Sequence, residues 1–235
     1  MKISDEPTLL GLDTAGSSCS VAVMRRGEVV AVRLEEMRRG QSERLLPLVH
    51  DVMDDAGLEL LEMDGFVVTT GPGGFTGVRI GLAAAQGFSL ACEKPLVGVS
   101  NFEVLARAVP AVEKSSDQVV TVLIDAKRAD VFVQCFNSKL QTYSEPFAAT
   151  PEQIVTRVPE GKLLLVGDGV DQVTSTLKAA GKDIQISGAN PRANAQHLLN
   201  IVVERKLFEQ EQGRISPLYL RAPDVSLPKT RSPVG

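Results

Sequence analysis

Two aspartates stand where a strand is expected to run into a turn: Leu12-Asp13-Thr14-Ala15 and Ile124-Asp125-Ala126-Lys127. A carboxylate at such a point can face a phosphate or a metal across a cleft, or it can simply cap the turn, where aspartate is common. A third candidate is Val166-Gly167-Asp168-Gly169, whose Gly167 and Gly169 follow an apolar run and would let backbone approach a nucleotide. The stretch Gly71-Pro72-Gly73-Gly74 ahead of Gly77 allows two readings. It can offer N–H groups at a helix N-terminus to an anion, or it can make a sharp, closely packed strand-to-helix turn. The two histidines, His50 and His197, lack metal-ligand spacing and read as structural or surface residues. Cys19, Cys92 and Cys135 are odd in number and sit among apolar neighbours, so they read as reduced core residues without a redox role.

The elements that must position these residues follow from periodicity and punctuation. Strands are expected over 8–15, 19–25 and 28–34, then a helix over 42–56 with Ser42 as N-cap, Gly57 as its stop and Pro47 as a kink or a later start near Leu46. A strand at 65–70, a helix from the glycines to about Cys92, a strand at 95–99 and a helix over 101–109 complete the run. The order then repeats. Strands at 119–126, 131–137 and 139–147 precede a helix over 151–158, with Thr150 as N-cap and Pro151 at its first position. A strand at 162–167, a helix at 171–180, a strand at 184–187 and a long helix at 193–209 follow. Two successive β-β-β-α-β-α-β-α runs, each with an aspartate ending its first strand, indicate an internal duplication.

Duplicated halves of this form resemble the actin, hexokinase and Hsp70 superfamily, in which two first hairpins face each other across a cleft that holds nucleotide and metal. The resemblance implies an α/β fold of two ASKHA-type subdomains, each a mixed sheet flanked by helices. The first is expected at 1–108 and the second at 109–190, with helix 193–209 returning to pack on the first. Residues 217–235 form a tail that docks through Pro217-Leu218-Tyr219-Leu220-Arg221 and is expected to be disordered beyond Leu227. A phosphate-binding turn of this superfamily needs glycine soon after the aspartate. Ala15 stands there in the first turn, with Gly16 next, and Ala126-Lys127-Arg128-Ala129 has none. An active ATP-binding phosphotransferase is therefore the alternative reading rather than the main one.

The segment from 71 to 105, GPGGFTGVRIGLAAAQGFSLACEKPLVGVSNFEVL, is more specific. With LGLDTAGSSCSVAV, QSERLLPLV, IDAKRADVF and PLYLR in order along the chain, it resembles the related TsaB (YeaZ) and TsaD families, once grouped as glycoproteases. The TsaD branch carries a His-Xaa-Xaa-Xaa-His metal pair on the helix after the PLVGV strand. Asn101 and Leu105 stand about there in this sequence, and leucine cannot bind a metal. That points to the shorter TsaB branch and leaves a metallopeptidase without its ligands. The resemblance then implies a non-catalytic subunit, with no cofactor of its own, that supports a TsaD-like threonylcarbamoyltransferase. A TsaE-like ATPase would be the third component, with ATP and metal on the partner subunits. The product would be N6-threonylcarbamoyladenosine beside the anticodon of tRNA, the tRNA being held mainly by the complex.

Composition fits that assignment. The chain has 235 residues, 43% hydrophobic and 23% charged, with a net charge of −4, so as a whole it is no electrostatic magnet for RNA. No apolar run approaches the ~20 residues of a membrane span, and MKISDEPTLL lacks a signal-like apolar core, so a cytoplasmic location is expected. A subunit without chemistry must carry its information on a surface. The helix from 75 to 92 is apolar nearly all round: Gly77, Gly81, Ala84, Ala85 and Phe88 share one face, while Leu82, Ala83 and Leu90 surround Arg79 and Gln86 on the other. On the preceding helix the apolar arc is roughly 160° wide, beyond the ~100° of a one-sided helix, with Leu46, Val49 and Met53 at one edge. Leu46, Val49, Met53, Arg79, Leu82, Ala83 and Gln86 are thus candidates for a helical partner interface, the alternative being core packing. In TsaB relatives this helix pair contacts TsaD and sometimes forms a homodimer.

Overall fold

A computed structural model describes residues 6–210 and 213–221. The chain opens with a meander of β1 (Leu9–Asp13), β2 (Ser18–Arg25) and β3 (Glu28–Glu36). Arg26 and Gly27 both adopt positive φ (53° and 80°) in the tight turn, as the twist of a two-residue hairpin requires. The helix α1 (Gln41–Ala56), β4 (Gly65–Thr69), α2 (Phe75–Cys92), β5 (Leu96–Val99) and α3 (Asn101–Ala108) follow. The second run is β6 (Gln118–Asp125), β7 (Val131–Phe136), β8 (Phe147–Ala149), α4 (Pro151–Arg157), β9 (Lys162–Val166), α5 (Val170–Ala179), β10 (Asp183–Ile186) and α6 (Ala195–Glu204), with short 3-10 turns at 60–62, 111–113 and 207–209.

The two sheets have one design. The first is ordered β3-β2-β1-β4-β5 and the second β10-β9-β6-β7-β8, which is the same order read from the other edge. In each, the first strand pairs antiparallel with the second and parallel with the fourth, and the fourth pairs parallel with the fifth. The central strands β1 and β4 are buried at every position, as strands covered on both faces must be. This is the duplicated α/β arrangement expected from the repeat.

Helices cover both faces of each sheet. On one face of the first sheet, α1 and α2 pack on Leu10, Leu12, Val21, Val23, Phe66 and Val68. On the other, Leu198, Leu199, Ile201 and Val202 of α6 meet Leu9, Ala22, Met24 and Val67. Gly11 makes that approach close, since a Cβ there would lie 3.0 Å from Leu199 Cγ. The α4 and α5 helices cover one face of the second sheet. Its other face takes Phe102, Leu105 and Ala106 of α3, a helix that precedes the residue-108 boundary drawn from sequence. Residues 213–221 run back over the body: Leu218 N–H donates to Thr70 O at 2.8 Å, Ile215 packs on the first core, and Arg221 pairs with Asp130. The expectation for residues beyond Leu227 falls outside the described residues.

Three element assignments change. The third strand of the second half is β8 at 147–149 rather than 139–147: Asn137 Oδ1 accepts from Lys139 N–H and Gln141 N–H, each at 3.0 Å, and this side-chain turn ends β7. The first helix keeps its expected span to within a residue (Gln41–Ala56) with Pro47 inside it, so the later start near Leu46 does not apply, but Gly40 (φ 96°) stands in place of Ser42 at its cap. Ser42 Oγ turns to Glu43 instead. Lys206, at φ 52°, separates α6 from the 3-10 turn at 207–209, so the long final helix is two pieces.

Candidate functional site

Asp13 lies at the end of β1 and is fully buried. Its Oδ1 accepts from Thr69 Oγ1 (2.6 Å), Asn101 Nδ2 (3.1 Å) and Ala15 N–H (3.4 Å), so it ties β1 to β4 and to the start of α3. Burial raises its pKa; the bonds from Thr69, Asn101 and Ala15 pull the other way and do not offset it. Asn101 completes the knot by accepting from Gly71 N–H at 3.1 Å and donating its own N–H to Gly71 O at 2.8 Å.

Above this knot the glycine loop closes down on the β1–β2 turn. A Cβ on Gly73 would sit 2.2 Å from Ala15 O, and one on Gly77 would sit 2.1 Å from Thr14 O. Gly74 N–H donates to Ala15 O at 2.7 Å, and Thr14 Oγ1 donates to Gly77 O at 2.7 Å. Of the two readings of Gly71–Gly77, close packing is therefore the one the geometry meets.

The second half repeats the device. Gly167 (φ 113°) would place a Cβ 2.1 Å from Leu123 O, and Gly169 N–H donates to that same oxygen at 3.0 Å. Both glycines pack the β9–α5 turn against β6. Asp125 differs from Asp13 in being half-exposed, and it has a cation at hand. Lys127 Nζ reaches Asp125 Oδ2 at 2.8 Å and Asp168 Oδ2 at 3.4 Å. Burial acts to raise the Asp125 carboxyl, but hydrogen bonds from Lys127 and Gln172 outweigh it and hold the group below its ordinary value.

A cleft of about 1420 Å³ separates the halves, lined by Gly16, Ser17, Arg38 and Arg39 from the first and by Asp125, Lys127 and Asp168 from the second. Ser17 Oγ donates to Asp168 Oδ2 across it at 3.5 Å. Asp125 therefore reaches the cleft, whereas Asp13 is sealed beneath the Ala15 turn and does not line it. Among the described residues no three His, Cys, Asp or Glu side chains come together as a metal site. His50 is exposed beside Asp54, and the pKa of half-buried His197 is lowered by burial and then by Arg107.

The candidate interface residues divide. Leu46 (58% exposed), Arg79, Ala83 and Gln86 lie on the surface. Val49, Met53 and Leu82, expected beside them, belong to the core under α1 and α2 (4%, 6% and 5% exposed). The small-residue face of α2 is covered from inside, Gly77 and Gly81 by Thr14, with Ala85 in the core. The opposite face carries Phe75, Arg79, Ala83, Gln86 and Leu90, the last 82% exposed. Arg79 is fixed there: its guanidinium lies 3.6 Å from the Phe75 ring centroid and Nε donates to Tyr219 OH at 3.0 Å, while Tyr219 stacks on Phe75 at 5.4 Å. Thr69 and the bridging role of Asn101 were missed from sequence, and Tyr219 was read only as part of the docking PLYLR segment, without its contacts to Arg79 and Phe75.

Comparison with known proteins gives the relationship. The family model described as TsaD, tRNA N6-adenosine threonylcarbamoyltransferase, matches residues 32–190. The tRNA threonylcarbamoyladenosine biosynthesis protein TsaB of Haemophilus influenzae is 31% identical, over 91% of this chain and 93% of that one. The chain belongs to the TsaB family. The Escherichia coli TsaB is 38% identical over 53% of this chain and 52% of its own. The solved structure of YeaZ from Pseudomonas aeruginosa superposes with a TM-score of 0.75 at 28% identity, covering 91% of this chain and all of that one. This TsaB-family chain has no helix, among its described residues, long and apolar enough to cross a membrane.

Proposed function

We propose that the chain is a non-catalytic subunit in the biosynthesis of N6-threonylcarbamoyladenosine in tRNA, docking through the outer face of α1 and α2 onto a TsaD-like threonylcarbamoyltransferase. The observation that carries this reading is the exposed Leu46 and Leu90 on adjoining helices, with Arg79 held rigid between Phe75 and Tyr219. Apolar side chains left in water on a well-packed body are the usual driving term for association. The cleft supports the same reading from the other side. Asp13 is closed off, and the Lys127 ammonium stands between Asp125 and Asp168, where a cation-bound phosphate would otherwise sit. A TsaE-like ATPase joins the same assembly, which supplies ATP, metal and most of the contact with tRNA, and the complex works in the cytoplasm.

The test is size-exclusion chromatography with the TsaD-like protein of the same organism. The wild-type chain should co-elute with it, and Leu46→Glu should abolish co-elution without lowering the melting temperature. Val49→Glu, by contrast, should unfold the chain, because it puts an unpaired charge into a site only 4% exposed. Two separate wild-type peaks, with and without ATP and tRNA, would overturn the proposal.

A further inference from the structure

Residues 213–221 run along the outside of the body and touch both halves. On the first half, Ile215 packs on the core under α1 and α2 and fills the space left by Gly98, where a Cβ would lie 2.9 Å from Ile215 Cγ2. Leu218 N–H donates to Thr70 O, just past β4, and Tyr219 OH accepts from Arg79 of α2 at 3.0 Å. On the second half, Leu218 and Leu220 pack, partly buried, against the core formed by α3 with β6, β7 and β9. Arg221 then pairs with Asp130 in the β6–β7 turn. Both ends of this run lie beside the cleft. Phe75, on which Tyr219 stacks, lines it from the first half, and Asp125 and Lys127, just before Asp130, line it from the second.

The other ties between the halves are of a different kind. The chain crosses between them at 109–117 and again at 187–194. Glu113 of the first crossing accepts from Ser187 Oγ (2.5 Å) and Gly188 N–H (3.2 Å) of the second, so the two crossings make one joint. The α3 helix is shared, with Val104 in the first core and Phe102 and Leu105 in the second. Across the cleft, the Ser17 to Asp168 contact of 3.5 Å is at the outer limit of a hydrogen bond. Two bodies on such a joint can turn about it unless something else holds them. We propose that residues 213–221 are a releasable strap that fixes the angle between the halves, and with it the width of the cleft. Its hold on the second half is a half-exposed ion pair and two partly buried leucines. Contacts of that kind are individually weak, so the strap can open locally while both sheets stay folded.

Double electron–electron resonance on the full chain reads the cleft width. Spin labels go on Arg39→Cys and Asp171→Cys, exposed cleft-lining positions in opposite halves. A Cys92→Ser background leaves only the buried Cys19 and Cys135. With the strap intact the pair should give one narrow distance. Leu220→Ser with Arg221→Glu removes contacts to the second half alone; the distance should lengthen and broaden, and trypsin should cut faster after Arg214. Arg221→Glu by itself should shift the distance less, and adding Asp130→Arg should restore it. Arg214→Glu, exposed on the same segment, should leave the distance unchanged. An unmoved distance in a double variant whose segment trypsin cuts would overturn the proposal. So would a double variant that trypsin still spares, because the segment would not be releasable. Loss of native circular dichroism in that variant would overturn it too, by making 213–221 part of the core.

Discussion

The same substitution at two glycines of α2 should have opposite effects. Gly77 faces the β1–β2 turn, and a Cβ there would lie 2.1 Å from Thr14 O, whereas a Cβ on Gly87 would meet nothing within 4 Å. The Thr14 carbonyl is backbone, so it cannot swing aside as a long side chain would. Making room for the methyl costs about 3 kcal/mol, the upper end of the usual range for overpacking. Displacing the helix also loses the Thr14 Oγ1 to Gly77 O bond (2.7 Å), worth about 1 kcal/mol. Alanine's better helix propensity gives back about 1 kcal/mol. The net for Gly77→Ala is a loss of about 3 kcal/mol, a fall of roughly 6–12 °C in melting temperature for a chain of this size. For Gly87→Ala only the propensity gain remains, about 1 kcal/mol or roughly 2–4 °C upward. Thermal unfolding followed by circular dichroism reads both. Two shifts of the same sign would refute the argument that close packing on the Thr14 turn dictates glycine at 77.

Other expectations follow from the cleft and the core. Because the Asp13 pKa is raised on folding, the native state binds more protons than the unfolded chain between the unfolded value and the folded one, so this group's contribution falls as pH rises through that window. Asp13→Asn keeps the Oδ1 acceptor and should be more stable than wild type at pH 7; a gain that fails to shrink on acidification toward pH 4 would count against that account. Lys127→Ala leaves Asp125 and Asp168 without their shared cation, so millimolar Mg²⁺ or Mn²⁺ should raise its melting temperature and leave wild type unmoved. Equal responses in the two proteins would mean that Lys127 does not occupy a cation position. The Cys19 thiol is pushed up to about 12 by burial, then by Asp13 and Glu35, so a thiol reagent at pH 8 should label it only in denaturant. Rapid labelling of the native chain would contradict its place in the core.

Period and punctuation carried most of the fold into the sequence. The repeat of strand and helix order survives as two sheets of one topology, and Thr150-Pro151 starts α4 as its residue types require. What failed was local chemistry that competes with pattern. The Asn137 side chain closes a turn where alternation suggested a strand, and Gly40 rather than a hydroxyl starts α1. The candidate site was half legible for a similar reason. Helical angle placed Leu46 and Val49 on one apolar edge, but it cannot say how high α2 rises beside α1. Leu46 stands in water and Val49 is buried in the core. Asp13 and Asp125 read as equivalent because strand position is a sequence property. Only the third dimension brings Thr69 and Asn101 onto one and leaves the other to Lys127.

The return of α6 to the first sheet orders the making of the molecule. The helices that enclose the second sheet, α3, α4 and α5, lie with its strands in one stretch of chain from 101 to 186, and only partly buried side chains such as Ala189, Leu218 and Leu220 join that core later. The first sheet, although synthesised earlier, has one face of Leu9, Ala22, Met24 and Val67 that stays bare until residues 195–204 arrive. Contacts spanning such a distance along the chain are the slowest to form. The half translated first is therefore the half finished last, and for most of translation it presents an apolar sheet face to whatever holds nascent chains.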